Sequence, residues 1–323
     1  MTLYRDAAAR TASYERELLE ATKVRVRSPE DYIRCQMLIA EPLVRRMRPL
    51  LPAGRARILE VGCGTGGISL HLATQGFEVT AVDREQYDPE ALEAARQFAR
   101  RASIHLNVCL TDGAALPFRA GTYEAVVCAN VVEHLEDPLT TMAEIHRVLV
   151  PGGVAFVDFP LFHSPYGGHI DDVIKIPWFQ LLPRRWVDAE LQRRGAERAR
   201  SVFLTLNGIT SSKFRRIVDR LGFDVVSLRR AHFVTHPGRK LIISLLEAVR
   251  HTSPTRAWRA IREAASDFSM VELLQFPFLM VTVPLSYVPG VGEYFAAGVG
   301  YALRKSGGQH GGDARSNSHK RGS

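Results

Sequence analysis

The residues with the clearest chemical use sit around one glycine-rich bend. The apolar run RILEV leads directly into Gly62-Cys63-Gly64-Thr65-Gly66-Gly67, and the apolar segment ISLHLA follows. Glycines at a strand-to-helix bend allow a tight turn and let a ligand approach the main chain. The free amides at the helix start then face that ligand. Gly62, Gly64 and Gly67 satisfy GxGxxG, so the loop alone is compatible with a dinucleotide. Three carboxylates surround it. Glu60 lies two residues before the first glycine, where it would repel a pyrophosphate but could hold a cationic ligand end. Asp83 ends the run VTAVD about 21 residues beyond Gly62, the usual place for a carboxylate that grips ribose hydroxyls. Asp112 follows the third apolar run, where it could accept a hydrogen bond from an adenine amino group.

A second group of polar residues lies beyond Pro160, in LFHSPYGGHIDDVIKIPWFQLLPRRW. It contains His163, His169, Asp171 and Asp172, with Tyr166 and Trp178 nearby. Imidazole beside carboxylate is the makings of a general base. His169 is the candidate base, with Asp171 or Asp172 orienting it and His163 as a further catalytic candidate. The alternative is that these side chains pin the loop through hydrogen bonds. A metal site made from the same groups is a weaker alternative, and none is expected.

The elements that must position these groups follow from pattern. RILEV, FEVTAV, IHLNVCL, YEAVVCAN and GVAFVDF are short runs rich in Val, Ile and Phe. Helical segments over 66–75, 89–101 and 138–149 separate them. Strands alternating with helices of this length predict βαβ units and a parallel sheet covered on both faces. Ahead of this core, residues 1–51 read as N-terminal helices: one over 3–22, and a second from the Ser28-Pro29-Glu30 start signal to about Leu51. Beyond it, 161–186 reads as a long structured loop with a short helix, 211–221 as helix and FDVVSLRRAHF as strand. Residues 235–290 read as a helical insertion, GVGYALRK as a last strand and 306–323 as a disordered basic tail.

ILEVGCGTG, AVD, DGAALPF, ANVVEHLEDP and VLVPGG, in this order and spacing, resemble the successive motifs of class I S-adenosylmethionine (SAM)-dependent methyltransferases, in the broad subgroup that includes quinone-biosynthesis methyltransferases. The resemblance covers about 57–160. It implies a Rossmann-like α/β fold: a seven-stranded, mostly parallel sheet with one antiparallel strand, GVGYALRK, paired beside FDVVSLRR. The chain would then be one methyltransferase domain over 1–305, with a SAM-binding core at 57–160, an acceptor-side insertion at 161–200 and a helical insertion at 235–290 before the last strand. The resemblance implies that Glu60, Gly62, Gly64 and Gly66 line the methionine part of SAM, Asp83 the ribose, Asp112 and Gly113 the adenine, and Asn130 the pocket edge. Glu133 and His134 would order the loop beside the sulfonium or take part in catalysis. The expected activity is methyl transfer to a small-molecule or lipid/glycan-linked acceptor, at oxygen. A SAM-binding protein without transfer and an NAD-dependent oxidoreductase are the alternatives.

Composition agrees with a globular protein. Of 323 residues, 46% are hydrophobic and 24% charged, enough apolar sequence for a large buried core. Cys35, Cys63, Cys109 and Cys128 lack CxxC spacing, so reduced thiols and a cytoplasmic setting are expected. The first twenty residues carry charges throughout and no apolar signal-peptide core. The net charge of +8 comes partly from 184–200 and from the tail after Leu303. No interleaved aromatic pattern accompanies it, and no nucleic-acid partner is expected. The stretch from Leu273 to Gly292 has no charged side chain but contains Pro277, Pro284 and Pro289, which argue against a spanning helix. A buried cap, or peripheral membrane contact through 273–292 and the basic tail, are the two readings of it.

Overall fold

The computed structural model describes residues 29–52, 55–84, 89–165, 167–168, 170, 173–174, 176, 178–231, 285, 292–294, 296 and 298–307. The calls for a helix over 3–22, for helices within 235–290 and for a disordered tail at 306–323 lie outside these residues, apart from Leu285, Ser306 and Gly307.

Helix α1 (Pro29–Met47) begins with Glu30 and Asp31 and ends with Arg45 and Arg46, charges that complement its dipole. It buries Ile33, Ala40, Val44 and Met47. The alternating core then follows as β1 (Arg57–Val61), α2 (Gly67–Thr74), β2 (Glu78–Asp83), α3 (Pro89–Arg101), β3 (Asn107–Leu110), β4 (Tyr123–Ala129), α4 (Pro138–Val148) and β5 (Leu149–Pro160). Local chemistry sets the boundaries. At the start of α4, Asp137 accepts from the amides of Leu139 and Thr140, and Pro138 occupies the first turn, where no amide donor is needed. Thr141, Met142, Ile145 and Val148 then form its buried stripe.

Beyond β5, the segment read from sequence as an acceptor-side insertion and the residues just after it contain helices α5 (Arg184–Arg193) and α6 (Glu197–Thr205). The sequence reading expected a long structured loop with a short helix over 161–186 and named no helix for 187–205. Val187 and Leu191, four residues apart, are the buried positions of α5, but arginines on both sides of them hide the period. With Ile170, Ile174, Phe179, Phe203 and Leu206 they make a small core separate from the main ones. Then come α7 (Ser211–Arg220), β6 (Phe223–Ala231) and β7 (Gly298–Lys305).

The seven strands are ordered β3-β2-β1-β4-β5-β7-β6. Strands β1 to β5 run parallel. β7 inserts antiparallel between β5 and β6, as expected for the reversed strand. One face packs Leu59, Val126, Val157 and Phe159 against α4 and α7; the other packs Ile58, Val127 and Phe156 against α1 and α2. Burial on both faces is why these strands read as continuous apolar runs. Among the described residues, no helix is long and apolar enough to cross a membrane.

This order creates one particular place. After β1 the chain moves outward to β2 and β3; it then returns to lay β4 on the other side of β1. Helices α2 and α4 consequently cover opposite faces of the sheet. A crevice opens outside the carboxyl ends of β1 and β4, where ligands bind in open α/β sheets.

Candidate active site

The glycine bend lies in that crevice. The amides of Gly62 and Cys63 both donate to Val82 O, at 2.8 and 3.1 Å, which ties the end of β1 to β2. Gly62 has φ +74°, and a Cβ there would stand 2.2 Å from Cγ2 of Val131 in the loop after β4. The two loops of the switch point therefore touch where a side chain would not fit. Gly67 has a different role: a Cβ would meet the backbone and Cβ of Gln36, so it lets α1 cross the start of α2. Gly64 is exposed, and a Cβ there would meet nothing within 4 Å.

Three carboxylates stand at successive strand ends. Asp83, the last residue of β2, accepts from the amide of Gly64 at 2.5 Å and from that of Arg84 at 2.7 Å. Asp112, two residues past β3, accepts from the amide of Ala114 at 2.9 Å, and Arg84 reaches it at 3.5 Å. Gly113 is buried between Val61 and Thr141. Glu60 sits deeper, 3% exposed, with the hydroxyl of Ser69 donating to its carboxylate. Burial pushes the Glu60 carboxyl up to about 8, against the hydrogen bond from Ser69, which works the other way. Asn130, exposed at the end of β4, adopts φ +56°, and its amide donates to Asp158 O at 2.7 Å. The structure thus brings Glu60, Gly62, Gly64, Asp83, Asp112 and Asn130 to one edge of the sheet.

Ionised carboxylates only accept hydrogen bonds, so Asp83 and Asp112 suit a ligand that presents donors. SAM presents ribose hydroxyls, an exocyclic amine and an ammonium group. The donor set fits it; a pyrophosphate would meet Glu60 and Asp83.

The loop after β4 forms the opposite wall. Residues Val132–His134 make a short 3₁₀ turn. Glu133 is 3% exposed, and burial pushes its carboxyl up to about 8. Its Oε1 lies 3.8 Å from His134 Nε2. His134 Nδ1 lies 2.8 Å from the Thr205 hydroxyl, which itself donates to Val202 O at 2.8 Å. A hydroxyl has one proton, so Thr205 accepts from His134, and His134 carries a proton on Nδ1. Burial also raises the thiols of Cys63 and Cys128, so neither is a nucleophile at neutral pH.

The catalytic candidates divide. His169, Asp171 and Asp172 lie outside the described residues, as does Tyr166. His163 is described: its ring stacks on Tyr294 at 5.3 Å and 19°, and Trp178 Nε1 donates to its carbonyl at 3.1 Å. Sequence reasoning missed several groups. Ser69 was invisible as the partner of Glu60. Arg84, next to Asp83, bridges toward Asp112 and Glu136. Asp158, near the end of β5, lies against Gly300, where a Cβ would collide with its carboxylate, and within 3.4 Å of Arg46. Its only signal was a charge at the end of an apolar run.

The fold is a seven-stranded α/β sheet with carboxyl groups at three strand ends beside a glycine bend. Residues 59–157 match the family profile described as methyltransferase domain, and this part of the chain is a class I, SAM-dependent methyltransferase domain. Two curated relatives align with it. An uncharacterized methyltransferase of Mycobacterium sp. (strain JLS) is 32% identical over 121 residues, 36% of this chain and 44% of that protein. A ubiquinone biosynthesis O-methyltransferase of Xanthomonas axonopodis pv. citri (strain 306) is 35% identical over 109 residues, 33% of this chain and 44% of that protein. The chain thus spans less than half the length of the curated relatives it matches. Among solved structures, phosphoethanolamine N-methyltransferase 2 of Haemonchus contortus in complex with S-adenosyl-L-methionine aligns with TM-score 0.49 at 14% identity, over 83% of this chain and 52% of that one.

Proposed function

We propose that the protein transfers the methyl group of SAM to a small-molecule or lipid/glycan-linked acceptor, at oxygen. The observation that carries the SAM assignment is the pair of hydrogen-bonded carboxylates at the ends of β2 and β3, beside a glycine bend with no room for a side chain at Gly62. Asp83 holds the ribose hydroxyls, Asp112 and Gly113 the adenine, and Glu60, Gly62, Gly64 and Gly66 the methionine end; Asn130 borders the pocket. SAM supplies an activated methyl group. The chain's own work is alignment, exclusion of water and removal of the acceptor's proton. The oxygen reading rests on the need for that base and on the similarity to a ubiquinone biosynthesis O-methyltransferase. His169 is the proposed base, oriented by Asp171 or Asp172, with His163 as a further catalytic candidate.

A peripheral membrane contact belongs to the same proposal. Its candidates, 273–292 and the basic tail at 306–323, lie largely outside the described residues. A described feature supports it independently. Ile176, Leu181, Leu182 and Trp186 of the acceptor-side insertion are 61%, 48%, 48% and 58% exposed, beside Arg184 and Arg185. Large apolar side chains next to arginine fit an anionic membrane interface.

The test is release of labelled methyl from SAM to candidate acceptors by the intact protein. The proposal expects transfer to an oxygen nucleophile, lost in His169→Ala with SAM binding retained. Unchanged turnover in that variant would remove His169 from its role.

A further inference from the structure

The acceptor-side insertion and the cofactor wall meet at one side chain. Asn207 lies between α6 and α7, and its amide nitrogen donates to both Val132 O and Leu135 O, each at 2.8 Å. Its side-chain oxygen accepts from the amide of Ile209 at 2.9 Å. Its own amide donates to Glu133 O at 2.9 Å. Four bonds therefore span the ends of the 132–135 turn and the start of the segment leading to α7. Two residues earlier, Thr205 accepts from His134 Nδ1. The turn that forms the wall beside the glycine bend is thus hung from the last residues of the insertion.

The arrangement has a mechanical consequence. Val131, at the start of this loop, is the residue that touches Gly62. A displacement of Asn207 moves the 132–135 turn, and with it the contact that closes the cofactor side. Conversely, a ligand that orders the turn orders α6. Sites linked through such a shared element influence each other reciprocally.

We infer that Asn207 is a positioning residue that couples occupancy of the cofactor site to docking of the acceptor-side insertion. It touches neither reactant; it acts through the 132–135 turn. The inference rests on the reading of this site as a SAM site. Its chemistry is specific: two carbonyls converge on one amide nitrogen, which alone among small side chains of this shape offers two donors. Asn207→Asp keeps the shape and the bond from Ile209 but replaces both donors with acceptors facing carbonyls.

The experiment is hydrogen–deuterium exchange on the full chain with and without SAM, alongside calorimetric SAM affinity. In the wild type, SAM slows exchange across 197–207 as well as at 131–135. In Asn207→Asp and Asn207→Ala, the affinity for SAM falls about tenfold, and the slowing at 197–207 disappears even at saturating SAM. A residue with only a structural role would lower protection in both states and leave the SAM-dependent difference intact; that result would overturn the inference. Thr205→Val, which removes the bond from His134 but keeps the Asn207 clamp, serves as a second variant. It keeps the SAM-dependent slowing at 197–207; loss of that slowing there, with Asn207→Ala normal, would place the coupling elsewhere. Failure of the wild type to bind SAM would instead overturn the functional reading on which the inference stands.

Discussion

Gly62 and Val131 face each other across the switch point of the sheet so closely that a Cβ on Gly62 would lie 2.2 Å from Val131 Cγ2 and 3.0 Å from its Cγ1. The contact joins the loop after β1 to the loop after β4, which are the two walls of the proposed cofactor site. Gly62 is also left-handed, at φ +74°, a conformation that strains any L side chain.

Gly62→Ala therefore carries both a steric and a backbone cost. Calorimetry should show at least a tenfold loss of SAM affinity, and thermal unfolding a loss of about 1–3 kcal/mol. Gly62→Ala combined with Val131→Ala relieves the collision but not the backbone strain, so part of the affinity returns. Equal affinities for the single and double variants would mean that Val131 does not set the width of the site.

Glu60 and Glu133 predict a pH dependence of stability. Burial raises each carboxyl from 4.5 to about 8. Between those values the folded protein holds these protons and the unfolded chain does not. Stability is then full below about pH 4.5 and declines as pH rises toward 8, by up to about 1.4 kcal/mol per pH unit per group. Urea unfolding at pH 6 and pH 8 should give a smaller difference for Glu60→Gln than for the wild type. The glutamine still accepts from Ser69 but has no proton to lose. An unchanged difference would show that Glu60 does not titrate in this window.

Asp83→Asn tests the ribose contact. The change removes the charge that accepts from the Gly64 amide and would accept from ribose hydroxyls. Charge-assisted hydrogen bonds contribute about 1.5–3 kcal/mol each, so SAM affinity should fall about ten- to a hundredfold. An asparagine variant with wild-type affinity would move the ribose elsewhere.

The membrane proposal has a local handle. Co-sedimentation with vesicles of mixed neutral and anionic phospholipid at low salt should retain the wild type. Trp186→Ala with Leu182→Ser removes two of the exposed apolar groups and should release a large part of it. Binding that ignores both substitutions would place any contact outside the acceptor-side insertion.

Much of this was legible in the sequence, for physical reasons that differ by element. RILEV, YEAVVCAN and GVAFVDF reveal β1, β4 and β5 because a parallel strand is buried on both faces and tolerates little polarity. Asp137-Pro138 marks the start of α4 because capping is local. The reversed β7 came from resemblance, since nothing local in GVGYALRK states its direction. Helices α5 and α6 were obscured because their buried residues, such as Val187, Leu191 and Phe203, face only a small core and arginines cover the rest. Long-range partners were invisible. Gln36 against Gly67, Ser69 on Glu60 and Asn207 across the 132–135 turn join residues whose separation in sequence carries no period. The carboxylates at the strand ends could be read because their positions follow from the strands; the roles of His169, Asp171 and Asp172 stand on sequence alone.

The central claim is that the edge formed by Glu60, Asp83 and Asp112 takes SAM. Isothermal titration of the intact protein with SAM and, separately, with NAD tests it most directly. The account predicts saturable one-to-one binding of SAM, weakened in Asp83→Asn, and no binding of NAD. Tight binding of NAD with none of SAM would contradict it.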